Sequence, residues 1–393
     1  MNLDERMTSE RILEGLDVLF VVPHSPQSVG YESGEEFLSI ATYHKQYCRT
    51  IQSLGATVEL VYLDDEPPVG DEQDYNIETM PLSIGSTFGR EFSSRLCYRL
   101  WNTSLDVVHI HGYNQPNVLP LFWSLWNSSA RVVVQNHGGP LDFDDRTHRL
   151  WYALVRFHLL RSVETVLSVN IKELENLKRT GIPEQRLEHV PNAVDTDKFI
   201  PYPTAKARSE LGLSSDQRYL LFVGKLTENK GVSFLIESLT DLPEDVHLLL
   251  VYSSEMSEVR RTVDSTIEEN GLEDRVKFVG QVTHDRLPIY YNAADVAVFP
   301  SINEGFGVVT IEAMACGTPV VGTTEHLGGG HLIDGKNALL AEAGSSGSLS
   351  EKITQLLEDE SISTKISYQG RKTAREEYSW DRVGQILSSV YKL

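Results

Sequence analysis

The chain is poor in cysteine. Its three thiols, Cys48, Cys97 and Cys316, are scattered over 393 residues. An odd number with no ligand spacing argues against a disulfide framework or a cysteine metal site, and it suits a reducing compartment. Long apolar runs are also missing: nothing approaches the ~18 residues of a membrane span. The opening stretch, MNLDERMTSERILEGLDVLFVV, is charged and has no apolar signal core, so a cytoplasmic protein is expected. Basic charge is scarce. Lys and Arg number 35 against 56 Asp and Glu, a net charge of −21. The deficit is even: 16 basic against 27 acidic residues up to Asp195, and 19 against 29 beyond. Attraction of the whole surface to DNA or anionic lipid is therefore not expected. Adaptation to salt and an ordinary acidic cytosolic protein both remain open as explanations. Neither half has a Gly-x-Gly-x-x-Gly turn after a strand, which a hydride-transferring dehydrogenase would need. No Asp-x-Asp pair follows a strand in cleft-facing positions, so no divalent metal is expected.

What is present alternates in a regular way. DVLFVV, ATVELVYL, DVVHIHG, RVVVQNHG and TVLSVN are short apolar runs that read as buried parallel strands. Helical stretches separate most of them, such as EEFLSIATYHKQYCRTIQSLG, which stops at Gly55. The same grammar restarts after residue 215 with RYLLFVG, VHLLLVY, RVKFVG, DVAVFP and TPVVGT. The expected fold is α/β: two doubly wound, Rossmann-like domains facing across a cleft, 1–195 and 196–377. The proline-rich VPNAVDTDKFIPYPTAKARSELGL supplies the boundary.

Ligands of such sheets bind beyond the carboxyl ends of the strands. After RYLLFVG comes KLTENKG, with Lys225 and Lys230; after DVAVFP comes SINEGFG, then VVTIEAMACG closed by Gly317. Gly305 and Gly307 would let backbone approach a ligand, and a helix N-terminus favours an anion. Two lysines plus that terminus suggest a diphosphate. Glu304 and Glu312 stand out in this glycine-rich, apolar stretch. Carboxylates repel phosphate and only accept hydrogen bonds, so they suit neutral hydroxyl groups. A diphosphate flanked by two hydroxyl-bearing groups is a nucleotide-sugar. The bland alternative makes Glu304 a helix cap and Glu312 a solvated helix position.

FVGKLTENKG, DVAVFPSINEGFGVVTIEAMACGTPVV and VPNAVDTDKF together resemble the signature stretches of the retaining glycosyltransferases of family 4, with the GT-B fold. DVVHIHG and VVVQNHGG resemble the acceptor-side strands of that family, and YSWDRV its closing helix, which implies that 378–393 crosses back to the first domain. The resemblance implies a nucleotide-sugar donor held mainly by the second domain. It implies Lys225 and Lys230 on the diphosphate, Glu312 on ribose hydroxyls and Glu304 on the transferred sugar. Gly224, Phe306, Gly307 and Val308 would lie along the donor, the last three offering backbone amides. His137 in QNHGG would sit near the reacting centre. The acceptor would be a sugar, a lipid-linked glycan or another hydroxyl compound, and no cofactor or metal is implied. The chain departs from the pattern in having lysine at 225 in place of arginine, Tyr252-Ser253-Ser254 in place of a glycine-rich turn, Ala193 in place of glycine, and only Gly30 and Gly34 after the first strand. A sugar-nucleotide epimerase of similar fold and a non-catalytic nucleotide-sugar sensor are the rival readings.

Three smaller signals remain. His109 and His111 point the same way from one strand, in structural or cleft-lining roles. NVLPLFWSLW reads as a packed helix despite Trp123 and Trp126. RTHRLWYALVRFHLLRS, residues 146–162, holds four arginines and no acid, and it reads either as a solvated helix or as a peripheral contact with an anionic membrane.

Overall fold

The computed structural model describes residues 12–392 except 30, 41, 67–74, 84–90, 114, 138–145, 303, 305 and 325–329, with backbone alone at 39, 40, 42, 146–152 and 154. Gly30 and Gly305, and the side chains of Arg146 and Arg149, thus lie outside the described residues.

The described residues form two parallel sheets. The first holds β1 (Asp17–Val22), β2 (Thr57–Leu63), β3 (Asn76–Met80), β4 (Val107–His111), β5 (Arg131–Asn136), β6 (Thr165–Ser168) and β7 (Leu187–His189), in the order 3-2-1-4-5-6-7. The second holds β8 (Arg218–Leu226), β9 (Val246–Glu255), β10 (Val276–Gly280), β11 (Val296–Val298), β12 (Val320–Thr323) and β13 (Leu339–Ala341), in the order 10-9-8-11-12-13. Both are doubly wound orders. Strand order reverses between β1 and β4 in one sheet and between β8 and β11 in the other, and such switch points open a crevice at the strand ends. The chain divides into two compact units, Met1–Pro191 with Trp380–Leu393, and Asn192–Ser379.

The central strands are apolar on both faces because helices cover both faces. In β8, Leu220 and Phe222 pack on one side with helices Val232–Ser238 and Ser346–Glu358. Tyr219, Leu221 and Val223 pack on the other with helices Leu287–Ala293 and Val308–Cys316. In the first sheet, Leu19, Val108 and Ile110 join the core under helices Ser94–Trp101, Val118–Ser124 and Arg146–Ser162. Phe20, His109 and His111 turn the opposite way, toward helices Thr42–Ser53 and Trp380–Lys392. The last helix is fastened there by Tyr391, whose hydroxyl lies 2.6 Å from His109 Nδ1, and by Trp380 edge-on to Tyr47 at 5.0 Å. A side chain at Gly384 would meet Thr50 at 2.9 Å, so this close helix pairing depends on the glycine.

Candidate functional site

The second switch point collects the residues singled out in the sequence. β8 ends at Leu226 and a 3-10 turn, Glu228–Lys230, follows it. β11 ends at Val298, and the segment 299–307 leads to helix Val308–Cys316. The two connections touch. Ile302 N donates to Asn229 O at 2.8 Å, and Lys230 Nζ forms an ion pair with Glu304 Oε2. Gly231 makes this approach feasible. It has φ +63°, and a Cβ there would lie 2.2 Å from the carbonyl oxygen of Pro300. Lys225 is exposed at the strand end beside half-buried Gly224. Ser301 Oγ, itself buried, donates to Glu304 Oε2 at 3.4 Å.

Helix Val308–Cys316 is buried almost all round, from Thr310 to Cys316. An apolar helix of this kind is a core element, and within it Glu312 is 4% exposed. The solvated-position alternative is therefore excluded. Two neighbours hold the Glu312 carboxylate, and a third stands behind one of them. Tyr291 Oη donates to Oε2 at 2.9 Å, and His284 Nε2 lies 2.8 Å from Oε1. Behind the imidazole, Lys198 Nζ is 2.9 Å from His284 Nδ1 and also pairs with Asp285. An ammonium can only donate, so Nδ1 accepts and the proton sits on Nε2, aimed at Glu312. Burial, then the Glu312 charge, push the Tyr291 phenol far above its ordinary range, so it stays a donor. Burial and then Glu312 likewise raise the Cys316 thiol, which stays protonated. Two carboxylate oxygens offer about four acceptor sites. Tyr291 and His284 use two of them.

The N-terminus of this helix is Gly307, with φ +72° and no side-chain cap. Exposed Val308 and half-buried Gly307 flank it. Phe306 is buried and stacks on His331 at 4.6 Å, and His331 Nε2 lies 2.6 Å from Thr310 Oγ1. That contact ties the loop to the first turn of the helix. Lys225, Lys230, Glu304, Glu312, Gly224, Phe306, Gly307 and Val308 therefore lie along one strand-end region of one unit. His284, Tyr291 and Lys198 were missed. The signal was available in KFVGQVTH, whose final residue is His284, and in DTDKF, which contains Lys198.

His137 belongs to the other unit, after β5, and heads a column of rings. It stacks on His111 at 4.9 Å and 7°, and His111 stacks on His109 at 4.7 Å and 12°. His111 Nδ1 lies 2.7 Å from His137 Nε2. His44 packs edge-on to His111 at 4.9 Å. Burial, then the neighbouring histidines, depress His109 to about 3 and hold His44 and His111 well below the usual range, so the three are neutral. Among the described residues no group of His, Cys, Asp or Glu has the arrangement of a metal site. At the β1 end, Glu91 is buried beside His24, with Nδ1–Oε2 at 3.8 Å. Burial alone would raise its carboxyl, but hydrogen bonds from His24, Ser28 and the backbone bring it to about 2.

The sequence patterns described as Glycosyl transferases group 1 and Glycosyltransferase Family 4 match residues 203–373 and 40–198. A mannosylfructose-phosphate synthase of Agrobacterium fabrum is 31% identical over 94% of this chain and 88% of its own. The chain belongs to the group 1 glycosyltransferases. A D-inositol 3-phosphate glycosyltransferase of Xylanimonas cellulosilytica is 33% identical, over 56% of this chain and 54% of its own length. So the match spans only about half of that relative. Among solved structures, Anabaena HepE in complex with UDP superposes with a TM-score of 0.75 at 20% identity, covering 96% of this chain and 100% of that one. The fold is the GT-B pattern of two Rossmann-like domains. No helix among the described residues is long and apolar enough to cross a membrane.

Proposed function

We propose that the chain transfers a sugar from a nucleoside-diphosphate sugar to an acceptor hydroxyl, with retention at the anomeric carbon and without a metal. One observation carries the reading. Two lysines, two carboxylates and an uncapped helix N-terminus converge at the β8/β11 switch point, where a doubly wound sheet receives its ligand. Lys225, Lys230 and the first turn after Gly307 hold the diphosphate. Glu312, fixed by Tyr291 and His284, keeps lone pairs for the ribose hydroxyls, and Glu304 addresses the transferred sugar. In the reaction the bond from C1 to the diphosphate oxygen breaks and a bond from C1 to the acceptor oxygen forms on the same face. The acceptor proton passes to the departing diphosphate. The lysines and the helix terminus stabilise the growing charge, and one such donor is worth about 3–4 kcal/mol of barrier. His137 would stand near the reacting carbon. The names of both curated relatives contain a phosphorylated small molecule, so phosphorylated sugars and polyols are the first acceptors to try, followed by lipid-linked glycans.

The test incubates the protein with UDP- and GDP-sugars in EDTA, with and without such acceptors. Nucleoside diphosphate release is measured, and the anomeric configuration of product is read by NMR. Donor turnover that survives EDTA, gives a retained anomer and collapses in Lys225→Ala and Lys230→Ala is expected. Tight nucleotide binding with no turnover of any donor would leave a nucleotide-sugar sensor, and rescue by added Mg²⁺ would reinstate a metal.

A further inference from the structure

The helical layer over the first sheet carries an aromatic patch that the donor site does not use. Helix Val118–Ser124 buries Val118, Leu121 and Phe122 but leaves Trp123 64% exposed. Helix Arg146–Ser162 buries Val155 and Leu159 but leaves Phe157 57% exposed. Trp126 bridges them, its ring centroid 6.2 Å from Trp123 and 5.8 Å from Phe157. The packed helix expected in NVLPLFWSLW is present at Val118–Ser124, with Trp123 on its outer side. Val118, Leu121 and Phe122 fill the core stripe, which turns Trp123 outward.

The floor of the patch is a buried histidine. His158 lies beneath Phe157, Trp126 and Trp123, at 5.4, 6.2 and 6.2 Å between ring centroids, and burial lowers its basicity. The edge beside Trp126 is cationic: the exposed Arg161 guanidinium sits 5.1 Å over its ring, and Arg156, also exposed, reaches from the same helix toward Gly181. The 17-residue helix holds four arginines and no acid, in a chain of net charge −21.

We propose that this face docks on the surface of an anionic phospholipid bilayer. Tryptophan and phenylalanine insert their rings at headgroup depth, and arginines reach lipid phosphates while covering apolar surface with their stems. Charge complementarity selects the occupant. An anionic surface repels most of so acidic a chain, so an aromatic face built on two helices without Asp or Glu is the part that can approach it, and the approach orients the first unit. The proposal does not depend on the sugar-transfer reading, since lipid binding is measured without donor or acceptor.

The full chain is sedimented with vesicles of phosphatidylcholine alone and of phosphatidylcholine mixed with phosphatidylglycerol, at low and high salt. Binding to the mixed vesicles that weakens with salt is expected. R156Q/R161Q should lower that partitioning about 25-fold, two arginines near an anionic surface each being worth about fivefold. W123S/F157S should abolish it, with the melting temperature of both variants near wild type because the changed side chains are exposed. Equal sedimentation of wild type and both variants overturns the proposal. So does a concentration-dependent doubling of mass that W123S/F157S removes without any lipid binding, which would make the face a contact between copies.

Discussion

Glu304 and Lys230 are partners before any donor is considered, and this sets two demands on one lysine. A diphosphate has to share Lys230 with the carboxylate. Glu304→Gln removes that competition and leaves a neutral group that still hydrogen-bonds. Nucleoside diphosphate binding should then tighten two- to fivefold, about the worth of a partly exposed ion pair. Transfer should fall, because the sugar loses its charged acceptor. Calorimetry with the nucleoside diphosphate and initial-rate kinetics with the sugar donor separate the two effects. Weaker binding of the diphosphate would show that Glu304 organises the phosphate site and does not compete with it. His284 acts one step back, through Glu312. His284→Ala leaves one carboxylate oxygen without its donor and should raise the KM for donor with kcat little changed. His284→Gln, whose Nε2 also donates, should restore most of the loss. An equal fall in kcat in both variants would assign His284 a different part. Glu312→Ala is the less clean experiment, since it strands the buried Tyr291 hydroxyl at a cost of about 1–3 kcal/mol in stability.

At the scale of elements, the histidine column makes the first sheet acid-sensitive. β4 supplies His109 and His111, and helix Thr42–Ser53 supplies His44. All three are held neutral in the fold, His109 down to about 3, whereas an unfolded chain protonates them near 6.5. Between those values the unfolded state binds more protons, so stability is whole above pH 6.5 and drains as pH falls toward 3. Three such groups give a slope of up to about 4 kcal/mol per pH unit. Urea midpoints for the unit containing residues 12–191, followed from pH 7.5 to pH 5, check this. A midpoint that stays level would mean that the column takes up protons without unfolding. These elements also show what the sequence discloses. The ten apolar runs became strands because each lies inside its sheet or pairs along an apolar edge. The three strands that were missed, β3, β7 and β13, are all sheet edges. β3 reads NIETM and β7 reads LEH, and edges need neither length nor continuous apolarity. The candidate donor site was legible because the phosphate, sugar and ribose of the proposed donor demand residue types that stand out in an apolar frame. Its supports were missed because Tyr291 and His284 reach Glu312, and Lys198 reaches His284, from separate stretches of chain, and sequence distance obscures such contacts even where the residues stand in view.

At the scale of the molecule, each unit has its own closed core, and the proposed donor groups other than His137 belong to Asn192–Ser379. A ligand stabilises what it binds by RT ln(1 + [L]/Kd), about 2.7 kcal/mol at a hundredfold excess over Kd. If the nucleoside diphosphate engages the second unit, that stabilisation belongs to the cooperative unfolding of this unit alone. Amide hydrogen exchange in the full chain reads it directly. With UDP or GDP at such an excess, exchange of the core strands β8, β9 and β11 should slow about a hundredfold, and the amides of 228–231, 282–285 and 306–312 should gain local protection as well. The strands β1, β4 and β5 should exchange at the same rate with and without nucleotide. Protection confined to β1, β4 and β5 would move the nucleotide to the first unit and remove Glu304, Glu312 and both lysines from the donor site. Equal protection of both units would mean that they unfold as one cooperative body, and that two separate cores do not make two separate folding units.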